Sequence, residues 1–280
     1  MYCGVLIMIE FFKMSGSGND FILIDNRNNI LSAVNLEKFV KKVCERKISV
    51  GADGLIIIEN SNRADFRWHF FNADGSEVEM CGNGGRCAAR FANILGIAGE
   101  SLSFETGAGV IDAEVRGDVV KLKMTDPYDL KTDYNITIKN DLFAVNSINT
   151  GVPHVVHFVD ELDYYDVKSF GRMIRYHEEY QPEGTNANFV LVVDGNTIRI
   201  RTYERGVEDE TLACGTGAVA SALISFWKGR VESPVDVGVR SGETLKIYFE
   251  KTENGFEKVY LEGGTSVVYQ GHLWEKAWKE

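Results

Sequence analysis

One short pattern occurs twice in this chain of 280 residues. Cys81-Gly82-Asn83-Gly84-Gly85-Arg86-Cys87-Ala88-Ala89 resembles Cys214-Gly215-Thr216-Gly217-Ala218-Val219-Ala220-Ser221-Ala222, 133 residues further on (81 to 214). Without a gap, the same offset carries Gly18 onto Gly151, Gly51 onto Gly184, Asp53 onto Asn186, Asn72 onto Arg205, Gly96 onto Gly229 and Gly109 onto Gly242. Solenoids repeat every ~20–50 residues, so a period this long marks a duplication of one whole unit. Such a chain is expected to fold as two similar halves, and a site on one half has a counterpart on the other.

Each copy runs through the same order of elements. Short β-rich runs come first: Phe21–Ile24 and Leu55–Ile58 in copy one, Val155–Val159 and Asn188–Val193 in copy two. An acidic Gly-bearing loop follows, residues 73–77 and 205–210. The Cys-Gly-x-Gly turn then opens a small-residue helix, predicted at about 83–95 and 216–228, with Gly96 and Gly229 as natural stops. Strands such as Val119–Met124 and Thr244–Phe249 close each copy. Ala218, Val219, Ala220, Ala222, Leu223, Ile224, Phe226 and Trp227 cover most of the second helix. A helix apolar nearly all round is buried. The expected fold is α/β: two pseudo-symmetric domains, each a central helix wrapped by a mostly antiparallel, barrel-like sheet.

Composition narrows the function. With 30 basic and 41 acidic residues the formal net charge is −11, and basic residues do not cluster. That argues against a nucleic-acid partner and against an anionic membrane surface. No apolar run approaches the ~20 residues that span a bilayer. The N-terminal run Val5–Ile9 lacks a basic leader and a small-residue cleavage site, and Met8 is a candidate start. The cysteines at 3, 44, 81, 87 and 214 are too scattered for a disulfide framework and contain no CxxC. A reduced, cytoplasmic protein is the expectation.

Both copies put a Cys immediately before a Gly-x-Gly turn that opens a helix. The helix N-terminus favours thiolate over thiol. Its unpaired N–H groups bind carboxylates, and glycine lets a ligand come close to the backbone. Two such units facing one ligand would offer two thiols to one stereocentre. One thiolate removes the α-proton, one thiol delivers a proton to the other face, and the centre inverts without a cofactor. A reference pKa of about 8.5 lets a thiol be tuned for either role.

Other readings of these residues fit less well. Cys81, Cys214 and His154 match no zinc spacing, so no metal is expected. A dithiol redox pair is chemically open. Gly215–Ala220 fits the dinucleotide pattern G-x-G-x-x-A, but Glu208–Ala213 before it is not an apolar strand. No Lys stands in a context that suggests a pyridoxal Schiff base. Cys3, Cys44 and Cys87 read as small buried hydrophobes.

At this point the motifs resemble a known family, the diaminopimelate epimerases, from about Phe11 to Gly271. The matching segments are residues 14–21, 51–54 and 71–77 leading to Cys81–Gly84. In the second half they are Gly151-Val152-Pro153-His154, Gly184-Thr185-Asn186, and Tyr203–Gly206 leading to Ala213–Gly217. The resemblance implies a cofactor-independent epimerase of LL- and meso-diaminopimelate, in lysine and peptidoglycan-precursor synthesis, working as a homodimer. It implies that the C-terminal strand returns to the first domain, giving domains 1–124 plus 266–280 and 125–265. Cys81 and Cys214 become the acid/base pair. Gly82, Asn83, Gly215 and Thr216 hold the reacting carboxylate through backbone N–H groups. Arg205 suits the distal carboxylate, Glu204 an ammonium, and Asn19, Asn72 and Asn186 the zwitterion. His154 is expected near the reacting centre. Val152 and Gly54 stand where many or some members have Asn and Gln, and are not carried over as side-chain contacts. The alternatives are another racemase or isomerase of this fold, proline-racemase-like, and a non-catalytic module that captures an amino acid.

Overall fold

A computed structural model describes residues 8–253 and 255–279. Cys3 and residues 5–7 of the N-terminal apolar run lie outside the described residues. The chain divides into two compact units, Met1–Leu122 with Gly264–Glu280, and Lys123–Gly263.

The first unit contains β1 (Ile9–Gly16), β2 (Asn19–Asp25), α1 (Leu36–Cys44), β3 (Gly54–Glu59), β4 (Phe66–Asn72), β5 (Glu77–Val78), α2 (Gly82–Ile94), β6 (Ser101–Thr106), β7 (Gly109–Arg116) and β8 (Val119–Lys123). The second contains β9 (Tyr128–Ile138), β10 (Asp141–Asn149), β11 (Pro153–Phe158), α3 (Val167–Arg175), β12 (Asn186–Val192), β13 (Thr197–Glu204), β14 (Asp209–Glu210), α4 (Gly215–Trp227), β15 (Val235–Gly238), β16 (Thr244–Thr252) and β17 (Gly255–Gly264). The last strand, β18 (Ser266–Leu273), pairs antiparallel with β1.

The duplication is structural as well as sequential. In the first unit the strands run β18-β1-β2-β3-β4-β6-β7-β8, with β5 also on β4; only β2·β3 and β4·β6 are parallel. In the second they run β9-β10-β11-β12-β13-β15-β16-β17, with β14 on β13; the parallel pairs are the matching β11·β12 and β13·β15. Matched glycines take the same backbone: φ is 74° at Gly51 and 68° at Gly184, then 67° at Gly96 and 66° at Gly229. The latter two end α2 and α4 in the left-handed conformation that a Cβ disfavours.

Among the described residues each unit has two α-helices where the sequence pattern pointed to one. A parallel strand pair needs a crossover connection. Helix α1 makes it between β2 and β3, and α3 between β11 and β12. Both start on capping side chains: Asn35 accepts from the Lys38 N–H and Asp166 from the Ser169 N–H. Their presence explains why β2 and β3 read as unbroken apolar runs, since both faces are covered. Ile22, Ile24, Leu55 and Ile57 pack with Phe39, Val40 and Val43 of α1. The other face, with Phe21, Ile56 and Trp68, meets α2 at Gly84. After each acidic loop the chain folds back as a two-residue strand, β5 or β14, against the strand before it.

Candidate active site

In the first unit Cys81 caps α2. Its φ of −145° and ψ of 118° are extended, and its Sγ accepts from the Gly84 N–H at 3.5 Å. The thiol is half-buried, and the Cα of Gly82 beside it faces open space. Asn83 and Asn19 come together: Asn83 Nδ2 donates to Asn19 Oδ1 at 2.7 Å, and Asn19 Nδ2 donates to Asp53 Oδ2 at 3.1 Å. At the other end the Arg86 guanidinium, fully buried, donates to Asn83 Oδ1 at 3.0 Å, Ser17 Oγ at 2.6 Å and the Gly82 carbonyl at 3.4 Å. A carboxylate that only accepts and a guanidinium that only donates set the orientation of both amides between them. Asn72 lies apart from this chain, exposed at the end of β4, with its Nδ2 on Ser76 Oγ at 3.3 Å.

Behind Asn19 lies an ion cluster. Lys13, nearly buried, meets Asp20 at 2.7 Å and also donates to the Gly51 carbonyl. Arg46 bridges Asp20 at 2.5 Å and Asp53 at 2.8 Å. Burial pushes against the Asp20 carboxylate, but bonds and charges from Arg46 and Lys13 outweigh it and hold its pKa at about 2.

In the second unit Cys214 caps α4, with φ −121° and ψ 109°, but is more deeply covered. Its Sγ lies 3.5 Å from Thr216 Oγ1. The Thr216 carbonyl accepts from Thr150 Oγ1 at 3.1 Å. Gly215 begins the helix, and a Cβ at Gly217 would meet Asn188 Oδ1 at 2.4 Å. Glu204, at the end of β13, reaches Cys214. Burial pushes its carboxyl above the usual range, while Thr211 and the Cys214 thiol pull the other way. Asn186 Oδ1 accepts from the Arg205 N–H at 2.8 Å, and its Nδ2 donates to the Pro153 carbonyl at 2.9 Å. The Arg205 side chain donates to the Glu183 carbonyl at 3.1 Å. His154 is buried on β11, its Nδ1 3.1 Å from Asn188 Nδ2.

Each turn thus joins a thiol to a row of helix N–H groups. The first adds an ordered amide pair; the second adds a carboxylate, a guanidinium and an imidazole. These are groups for a ligand bearing carboxylates and ammoniums. The family model for diaminopimelate epimerase matches residues 11–130 and 146–268.

The chain belongs to the diaminopimelate epimerase family.

It is 49% identical over 279 residues to the diaminopimelate epimerase of Aquifex aeolicus, covering 96% of this chain and 99% of that one. Among solved structures, the PhzF-family phenazine biosynthesis protein of Bacillus anthracis superimposes with a TM-score of 0.72 at 17% identity, over 95% of this chain and 99% of that chain. A hydroxyproline epimerase from Agrobacterium vitis superimposes at 0.69 and 13% identity, over 95% and 92%. These two establish a shared fold only.

A Cβ at Gly54 would lie 2.6 Å from both the Phe70 ring and the Phe71 carbonyl, so no longer side chain fits there. Several polar residues escaped the sequence reading. Arg86 sits inside the quoted motif, and its signal is a lone charge in a small-residue helix turn. Asn188 is a polar residue within an apolar strand run. Asp53 stands inside the matched segment 51–54 and opposite Asn186 in the repeat, but neither gave it a role. Among the described residues, no helix is long and apolar enough to cross a membrane, and no three His, Cys, Asp or Glu side chains gather as a metal site.

Proposed function

We propose that this chain interconverts LL- and meso-2,6-diaminopimelate without a cofactor, using Cys81 and Cys214 as its acid/base pair. The observation that carries this reading is the recurrence of one arrangement: a Cys at the N-cap of the central helix, at matched repeat positions. A single-base enzyme has no use for the second.

In one direction a thiolate takes the α-proton, and the C–H electron pair moves into the α-carboxylate as an enediolate-like charge. The N–H groups of Gly82-Asn83 and Gly215-Thr216 stabilise that charge where water is excluded. The other thiol then protonates the carbon from the opposite face. Thiolate and thiol have exchanged roles, and net charge is unchanged. Arg205 holds the distal carboxylate through its planar fork, Glu204 an ammonium, and Asn19, Asn72 and Asn186 the rest of the zwitterion. His154 stands beside the reacting centre. The same reading makes the chain a cytoplasmic homodimer of lysine and peptidoglycan-precursor synthesis, and sedimentation reports the dimer directly.

The test is deuterium exchange at the α-carbon of LL-diaminopimelate in heavy water. Exchange is expected with the wild type; either Cys→Ala variant is expected to lose inversion, with the remaining thiol still exchanging the proton on its own face, and exchange is expected to be lost when both are substituted. Exchange that survives both substitutions together sinks the two-thiol chemistry. Proline exchanging in place of diaminopimelate makes the chain a proline-racemase-like enzyme instead.

A further inference from the structure

Asn188 is 1% exposed and stands in the middle of β12, between the buried Ala187 and Phe189. A primary amide in such surroundings must satisfy both its ends. Its Oδ1 accepts from Thr202 Oγ1 at 2.9 Å. Its Nδ2 donates to the Val155 carbonyl at 2.9 Å and reaches His154 Nδ1 at 3.1 Å. A carbonyl oxygen only accepts, so the amide nitrogen must be the end that faces Val155. That same nitrogen faces His154. It brings a proton to the contact, and His154 Nδ1 must be the bare, accepting nitrogen. In a neutral imidazole the ring proton is then on Nε2. His154 Nε2 is buried and finds no hydrogen-bond partner among the described residues.

Extending the proposed epimerase reading, on which this rests, we propose that Asn188 is a positioning residue that locks His154 as a neutral imidazole protonated on Nε2. His154 then serves as a fixed hydrogen-bond donor to an anionic group of the bound substrate, and not as a proton shuttle. Two further observations agree. Burial drives the pKa of His154 down to about 3, and the nearby Arg205 charge adds to this. Asn188 also lies against the turn that carries Cys214. A Cβ at Gly217 would sit 2.4 Å from Asn188 Oδ1 and 3.3 Å from Cys214 Sγ, so the amide, the glycine and the thiol pack as one group. Around β11, β10 carries Asp141, β13 carries Arg199, Arg201, Tyr203 and Glu204 with Arg205 just beyond its end, Cys214 caps α4, and β11 itself carries His157; of these charges, the one that bears on His154 is Arg205.

The tautomer is directly readable by NMR of the full chain labelled with 15N-histidine. The His154 signals are expected to show a bare Nδ1 and a protonated Nε2, unchanged between about pH 5 and 9, where a free imidazole titrates. A protonated Nδ1, or titration within that range, overturns the proposal. Asn188→Asp replaces the donor by an acceptor. It is expected to move the proton to Nδ1, to make the ring titrate, and to lower kcat roughly 10–100-fold with a new pH dependence. An N188D protein with the wild-type tautomer and pH profile also overturns it. If N188D does not fold, the wild-type spectrum decides alone. Because that spectrum needs no substrate, it separates this proposal from the epimerase reading, which fails only if α-deuterium exchange fails in the wild type.

Discussion

Behind Cys81 the first turn of its helix carries the buried guanidinium of Arg86; behind Cys214 the matched position holds Val219. The two turns share a backbone: both cysteines are extended caps, both open 13-residue helices, and both helices end on a left-handed glycine. Their polar surroundings do not match. Cys81 is half-exposed and contacts a backbone N–H, whereas Cys214 is buried beside a hydroxyl and the Glu204 carboxyl. Duplication copies a backbone because the core that supports it tolerates little change. The side chains around each cap are freer to diverge. The two-base inversion proposed above would make use of that freedom, because it needs one thiolate and one thiol at any moment, and identical surroundings would give both sulfurs the same affinity for the proton.

The largest test of this comparison is catalytic. Cys81→Ala and Cys214→Ala are each expected to lower kcat/KM by roughly 10²–10⁴-fold in an epimerisation assay. A variant that keeps near-wild-type turnover would show that its turn has no chemical role.

Next comes the buried cation. Arg86→Met leaves the Asn83 amide, the Ser17 hydroxyl and the Gly82 carbonyl without their donor. Hydrogen bonds to a charged group are worth about 1.5–3 kcal/mol each, so a loss of about 3 kcal/mol or more in urea unfolding is expected. At the matched site Val219→Ala removes two carbons and is expected to cost about 1.6 kcal/mol, at about 0.8 per CH₂. Equal losses would mean that Arg86 only fills space.

Two glycines give an effect of about 1–3 kcal/mol by overpacking. Gly54→Ala pushes on Phe70 and the Phe71 carbonyl in the first unit, and Gly217→Ala on Asn188 in the second. Thermal melts compare the two. Gly217→Ala is expected also to lower kcat, because it displaces the turn that carries Cys214.

A further test separates the units by acid. His154 goes from 6.5 to about 3 on folding, so the unfolded chain binds its proton first. The second unit is expected to lose stability as pH falls from about 6.5 toward 3. Asp20 goes from 3.8 to about 2, so its contribution in the first unit is complete above about 3.8 and lost only below that. Hydrogen exchange at pH 5 should therefore show the second unit opening first; the reverse order would contradict these assignments.

Much of the architecture was legible without coordinates. The central helices lie within one residue of the positions read from the Cys-Gly-x-Gly turns and their glycine stops. The strand runs Phe21–Ile24, Leu55–Ile58 and Val155–Val159 fall on β2, β3 and β11 and its edge. Periodicity and turn chemistry are local, so a short window holds them. Helices α1 and α3 were missed because a nine-residue amphipathic stretch has too few turns to stand out from its polar flanks. The two-residue strands β5 and β14 depend wholly on the neighbours they pair with.

What the amino-acid order alone determined is the duplication, the placing of a thiol at two helix starts, and the family, because identical spacing and identical turn residues survive without any knowledge of contacts. Only the tertiary structure decided which polar groups meet. The chain Asp53–Asn19–Asn83 and the triad Thr202–Asn188–His154 each join residues at least 14 positions apart. Burial then makes those contacts matter, since an amide or imidazole removed from water must take whatever partner the fold brings to it.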